Sequence, residues 1–179
     1  MTEQQFAASM TALAAGDREA WHRLYVAYAP AVYAVALAVT GHAADAEDVT
    51  ADVFLRIRQQ AAGYTSRERH KAWIAAIARN AALDMLRRQS RAYPSEELPE
   101  PFPIPSAEGA VCTRMTLEQA MASLPSEQRQ VVALHVISDL PFREVARLLQ
   151  KPLGTVTWQY RAAIKTLRRV LDDLEAAFP

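Results

Sequence analysis

Tyr93-Pro94-Ser95-Glu96-Glu97-Leu98-Pro99-Glu100-Pro101-Phe102-Pro103-Ile104-Pro105-Ser106-Ala107-Glu108-Gly109 divides a chain of 179 residues near its middle. Each proline lacks the amide hydrogen that a helix needs and fixes its own φ, and the four glutamates carry no balancing base. Extended, solvated chain is the expected state. Residues 93–112 are therefore read as a flexible linker between a domain at 1–92 and a second at 113–179. On both sides glycine is scarce and alanine abundant, and apolar residues recur at helical rather than alternating spacing. The expected fold class is all-α, two small helical domains.

Immediately before the linker, Lys71 to Ser90 reads as a helix burying Ile74, Ile77, Ala78, Ala81 and Met85. One flank carries Trp73, Asn80, Asp84 and Arg87, with Arg88 close by. An aromatic or guanidinium plane can stack on an unpaired base, an amide can pair with a base edge, and arginines can hold phosphates. Trp73 also has the simpler reading of a core residue. The segment from Gly63 to His70, with Arg67 and Arg69, reads as a basic loop.

Further upstream, Asp45 to Gln60 places Ala46, Val49, Val53, Phe54 and Ile57 on one side of a helix. Asp48, Asp52 and Arg56 follow at four-residue steps on the other side, with Ala51 and Leu55 among them. A leucine on a charged face suits a docking surface, although a single exposed leucine needs no explanation. The clustered carboxylates are better explained by the field at a helix N-terminus than by a metal. Asp17 to Thr40 is a longer apolar helix with Pro30 as a potential kink and Gly41 as its end.

Downstream of the linker a helix over Leu117 to Leu124 breaks at Pro125, and Ser126 is placed as the cap of the next. Two helices then meet around Gln150-Lys151-Pro152, with the small Ala146 at their crossing, in the pattern of a helix-turn-helix; an ordinary helical hairpin is the alternative. In the second, Val156, Tyr160, Ala163 and Leu167 recur at core spacing. Thr155, Thr157, Trp158, Gln159 and Arg161 remain near its start, where a recognition helix meets base edges.

The formal net charge is zero, but it is unevenly spread. Arg56 to Arg91 and Val145 to Leu171 are two basic footprints, the second without any acid. Cys112 is the only cysteine, which excludes an internal disulfide and a cysteine-rich zinc site. No apolar stretch is read as free of charge over a bilayer's thickness and no signal peptide is read at the start, so the chain is expected to be cytoplasmic. His22, His42, His70 and His135 are scattered without metal spacing, and no nucleophile and base form a motif. No cofactor, metal or enzymatic activity is expected.

The motifs together carry a family resemblance. Asp45-Ala46-Glu47-Asp48-Val49 with Asp52-Val53-Phe54-Leu55-Arg56 resembles the polymerase-docking helix of sigma region 2 in extracytoplasmic-function (ECF) sigma factors of the sigma-70 family. Trp73-Ile74, Ile77-Ala78-Arg79-Asn80 and Asp84-Met85-Leu86-Arg87-Arg88 resemble the promoter-melting and minus-10 reading helix. Leu124-Pro125, Gln128-Arg129, Glu144-Val145-Ala146 and Pro152-Leu153-Gly154-Thr155-Val156 resemble sigma region 4. The order of these motifs around a linker is more specific than any one of them.

The resemblance implies a factor that binds core RNA polymerase and directs promoter-specific initiation. Asp48, Ala51, Asp52, Leu55 and Arg56 would bind the clamp of the largest subunit, while region 4 would meet the flap of the second-largest. Arg67, Arg69, Trp73, Asn80, Asp84, Arg87 and Arg88 would take the minus-10 DNA. Arg143, Thr155, Thr157, Trp158, Gln159, Arg161 and Lys165 would take the minus-35 element. Many members are held by an anti-sigma factor, a partner the chain itself leaves open. Gln150 stands where the family commonly has glycine, and Thr157, Trp158 and Gln159 replace its usual basic and small residues. A repressor that binds duplex DNA and a protein-binding adaptor are the rival classes; the docking helix argues against the first and the basic footprints against the second.

Overall fold

A computed structural model describes residues 1–65, 69–92 and 120–177, and among these every regular element is helical. The linker expected at 93–112, Cys112, Arg67 and the start of the helix expected from Leu117 lie outside the described residues.

Four helices form the first domain. Helix α1 (Glu3–Ala14) is opened by a capping box in which Thr2 and Gln5 satisfy each other's backbone amides. It buries Phe6, Met10 and Leu13 at helical spacing, an element absent from the sequence reading. Helix α2 (Arg18–Thr40) is capped by Asp17, whose carboxylate accepts from the Glu19 amide at 2.8 Å. Gly41 ends it at φ 78°, a left-handed position that spares glycine the clash a side chain would meet. Pro30 lies within the helix.

Helix α2 requires a correction. Residues 24–44 carry no charged side chain, and the helix is long and apolar enough to cross a membrane, with a mean hydropathy of 1.4 over its most apolar stretch. Leu24, Tyr28, Val32, Val35 and Val39 are instead buried within this protein, where the other helices meet them. That packing explains the apolarity without a bilayer.

Helix α3 (Ala43–Gln60) buries Ala46, Val49, Val53, Phe54 and Ile57 as its spacing predicts. Thr50 joins them by donating its hydroxyl to the Ala46 carbonyl at 2.7 Å, which satisfies the polar atom inside the core. A short 3-10 turn (Ala61–Gly63) leads towards α4 (His70–Ala92). Helix α4 buries Ile74, Ala78 and Ala81 as expected, together with Ala75 and Ala82, whereas Ile77 and Met85 are only half-buried. The alanines let α4 lie close against α2 and α3.

In the second domain α5 (Ser126–Val132) runs into a π-helical turn (Ala133–Ile137). Ser126 is not the cap: Pro125 occupies that position without a side-chain bond, and the Ser126 hydroxyl accepts from Gln130 at 3.2 Å. The π turn closes when Ser138 donates both its amide (2.9 Å) and its hydroxyl (3.1 Å) to the Ala133 carbonyl. Helices α6 (Phe142–Leu149) and α7 (Leu153–Ala177) are joined at Gln150, which has φ 54°. Val145, Ala146, Leu149, Val156 and Ala163 are buried. The second domain packs on α2 and α4, and one continuous apolar core runs from Phe6 to Val156.

Candidate polymerase and promoter-DNA interfaces

The exposed side of α3 carries Asp48, Ala51 and Leu55, the last 52% exposed. Asp52 and Arg56 form an ion pair at 2.8 Å along the same face, which orients both side chains at little cost in stability. Next to it opens a groove of about 890 Å³ walled by Trp21, Tyr25, Tyr33, Phe54 and Leu55 of α2 and α3 and closed at one end by Met121, Arg129 and Ile137 of the second domain. The Phe54 ring holds Tyr25 at 4.7 Å and Trp21 at 5.9 Å between centroids. Trp21 and Tyr25 belong to the same apolar stripe as the buried residues of α2, and Tyr25 is 45% exposed because that stripe is wider than the surface α3 and α4 can cover. The signal available in the sequence was that excess of apolar residues.

Helix α4 presents Asn80, Asp84, Arg87 and Arg88 along its outer side. Arg87 reaches back to Asp84 at 3.4 Å yet stays largely exposed. Arg79, half-buried beside them, has its pKa lowered by burial first and by the Arg87 charge second, and its Nε donates to Gln130 at 3.4 Å. Trp73 is half-buried. Its ring packs on Tyr64 (5.1 Å) and edge-on to Phe6 (6.1 Å), and the residue also lines an open cleft with Tyr64, Arg69 and Ala72.

The loop before α4 is held by a residue the sequence reading passed over. Glu3 accepts from the Tyr64 hydroxyl at 3.0 Å and from the His70 amide at 3.2 Å, and pairs with His70 Nδ1. His70 is buried and stacks on Phe6 at 4.8 Å. Helix α1 therefore pins the chain at 64 and at 70, on either side of the expected DNA loop. Nothing in the spacing of Glu3 announces a contact across 67 residues.

In the second domain Arg143, Thr155, Trp158, Arg161 and Lys165 are exposed, Trp158 at 64%. Thr155, Trp158, Arg161 and Lys165 follow at three- and four-residue steps, so they share one side of α7. Thr157 turns its hydroxyl back onto the carbonyls of Leu153 (3.1 Å) and Gly154 (3.0 Å). Among the described residues no group of three or more histidine, cysteine, aspartate or glutamate side chains is placed to hold a metal.

Two family models match the chain: Sigma-70 region 2 over residues 24–92, and Sigma-70, region 4 over residues 114–167. The ECF RNA polymerase sigma factor SigL of Mycobacterium tuberculosis is 30% identical over 175 residues, covering 93% of this chain and 97% of that protein. This chain is an ECF sigma factor of the sigma-70 family. The ECF RNA polymerase sigma factor SigM of the same organism is 28% identical over 172 residues, covering 96% of this chain and 87% of its own. Among solved structures, the sigma factor RpoE of Bartonella quintana, in complex with the anti-sigma factor NepR, superposes with a TM-score of 0.64. That match is 19% identical and covers 84% of this chain and 96% of the other.

One expectation for the sigma factor is overturned by its packing. Gln159 is only 4% exposed, and its amide donates to the Glu127 carboxylate at 2.6 Å. It lies three residues after buried Val156 and four before buried Ala163, hence on the core side of α7. Glu127 also takes Lys151 at 2.5 Å, and the Lys151 bond and charge hold its carboxyl below the usual range, with Gln159 adding to the effect. Gln159 is a staple between α5, the helix-turn-helix turn and α7, and does not face outward to read a base.

Proposed function

We propose that this sigma factor divides its work among three surfaces: α3 for core polymerase, α4 for the minus-10 strand, and α7 for the minus-35 element. The observation that carries this reading is the outward placement, on one chain, of a charged face bearing Leu55, a cationic strip ending in Arg87 and Arg88, and a helix-turn-helix showing Trp158 and Arg161. Asp48, Ala51, Asp52, Leu55 and Arg56 bind the polymerase clamp, and the second domain approaches the flap. Arg69, Trp73, Asn80, Asp84, Arg87 and Arg88 capture bases exposed by melting; Arg67 belongs to the same loop by sequence. Thr155, Trp158 and Arg161 meet the major groove, with Arg143 and Lys165 on the backbone.

Melting is driven by binding. Unstacking a base costs a few kcal/mol, offset by stacking and phosphate contacts that exist only in the open strand. The factor performs no bond chemistry: phosphodiester formation and its magnesium belong to the polymerase, and the site of action is the cytoplasm. The apolar groove beside Leu55 suits a helix of a protein partner, polymerase or an anti-sigma factor of the kind that the Bartonella relative binds. Run-off transcription with core polymerase tests the whole reading. Promoter-specific transcripts that require this chain are expected; none above core polymerase alone refutes it.

A further inference from the structure

Helix α4 starts without a cap of its own. Its first intrahelical hydrogen bond runs from the Trp73 amide to the Arg69 carbonyl at 3.0 Å, which puts Arg69 at the cap position. A residue there ordinarily turns a side-chain oxygen onto the free amides of the first turn. Arginine carries donors only and cannot do so. The acceptor comes instead from α1. The Glu3 carboxylate takes the His70 amide at 3.2 Å, and its negative charge stands at the positive end of α4. The same carboxylate pairs with His70 Nδ1 and takes the Tyr64 hydroxyl at 3.0 Å. Donors from both sides of the segment between the 3-10 turn and α4 thus converge on one side chain.

Glu3 is itself held in place. The capping box of Thr2 and Gln5 closes around it and fixes the turn of α1 that carries it. One turn further on, Phe6 is fully buried, and its ring stacks on His70 (4.8 Å) and meets Tyr64 (5.2 Å) and Trp73 (6.1 Å) edge-on. Hydrogen bonds from Glu3 and ring packing from Phe6 therefore act on the residues that flank Arg69 and support Trp73. Charge alone gives no reason for an acid in this place. A carboxylate beside a phosphate-binding surface repels the strand, whatever its sequence.

We propose that Glu3 is a positioning residue for minus-10 recognition: by capping α4 from α1 and tying Tyr64 to the same point, it fixes where Arg69 and Trp73 stand when the unpaired strand arrives. The role rests on the assignment of α4 to that strand. Stacking and base-edge contacts need a rigid frame, whereas phosphate contacts carry no sequence information. Loss of Glu3 should therefore erode discrimination between sequences more than affinity itself.

The test uses holoenzyme assembled from the full chain and core polymerase. A single-stranded oligonucleotide randomised over the minus-10 positions is selected on the wild type. The enriched sequence and the unselected pool then serve as the two probes in fluorescence anisotropy. Glu3→Ala is expected to lower the ratio of the two affinities by about 3- to 10-fold, the range set by loss of a helix cap. Glu3→Asp keeps the charge but withdraws the carboxylate by one methylene, and should also lower the ratio; it decides the matter if circular dichroism shows Glu3→Ala unfolded. Glu3→Gln keeps the reach and an acceptor oxygen without the charge, and should stand nearer wild type than Glu3→Asp. Glu19→Ala removes an exposed acid from the first turn of α2 and should leave the ratio unchanged. In the free factor, hydrogen exchange at the His70 amide should quicken in Glu3→Ala. A wild-type ratio in Glu3→Asp and in folded Glu3→Ala, or exchange at His70 unaffected by the change, would overturn the positioning role. So would an equal gain in affinity for both probes in Glu3→Ala and Glu3→Gln, the signature of a lost repulsion. Asn80→Ala with Arg87→Ala separates the two ideas: a wild-type ratio there refutes the assignment of α4, whereas a lost ratio there with an intact one in the Glu3 variants refutes the role of Glu3 alone.

Discussion

Gln159 offers the sharpest test of the recognition helix, because its position in sequence and its position in space argue for opposite roles. Its amide donates at 2.6 Å to Glu127, which in turn holds Lys151. A hydrogen bond to a charged group contributes about 1.5–3 kcal/mol. Two observations lower that figure. Glu127 is 63% exposed and keeps Lys151 when the amide is gone, and the buried Gln159 Oε1 has no hydrogen-bond partner, so truncation also removes an unsatisfied acceptor. Gln159→Ala should therefore destabilise the second domain by about 1 kcal/mol, or about 4–8 °C in its melting transition. Gln159→Leu fills the same space without a polar atom and should be close to neutral. Gln159→Glu sets a second carboxylate against Glu127 in a buried position and should cost more than either, about 2–3 kcal/mol. Circular dichroism melts of the three variants give this order. A randomised minus-35 library selected in the presence of core polymerase gives the other half of the test: base preferences should survive Gln159→Leu and change with Trp158→Ala. A Gln159→Leu protein with wild-type melting and an altered minus-35 preference at one position would refute the staple and restore base reading.

Asp48→Arg with Leu55→Glu should abolish copurification with core polymerase while helix content and melting remain unchanged, since both side chains point away from the core. Asn80→Ala and Arg87→Ala should impair open-complex formation, read by permanganate footprinting, more than initial promoter binding; a premelted template should rescue them in part. Gln150→Gly should raise stability by about 0.5–1 kcal/mol in a denaturant titration, because the left-handed φ of 54° strains a side chain by more than the entropy glycine adds to the unfolded chain.

Periodicity made the helices legible one at a time. The buried residues of α3 follow from their spacing, because a helix with one apolar stripe has only one way to bury it. Asp17 and Gly41 announced the ends of α2 for reasons equally local, a side chain that caps and a residue free of the left-handed penalty. The outward placement of Leu55 and Trp158 was also within reach, since a residue off the stripe is exposed whatever its neighbours are. Spacing failed where a residue answers to a partner far along the chain. Gln159 sits on the core line of α7, but its polar side chain by itself predicts exposure; only Glu127 beside it satisfies the amide in a buried position. Glu3 carries no local signal at all, and becomes the anchor of the loop because the fold brings Tyr64 and His70 to it. The charge-free run of α2 is the same for a membrane span and for a core helix, and the surrounding helices decide between them. Local rules act through the backbone within a turn or two, so one chain read alone settles where helices start, stop and hide their apolar faces. Which polar groups meet across the seam between the two domains, Asp139 with Lys71 and Glu144 with Arg69, depends on how whole helices pack, and that was decided only by the tertiary structure.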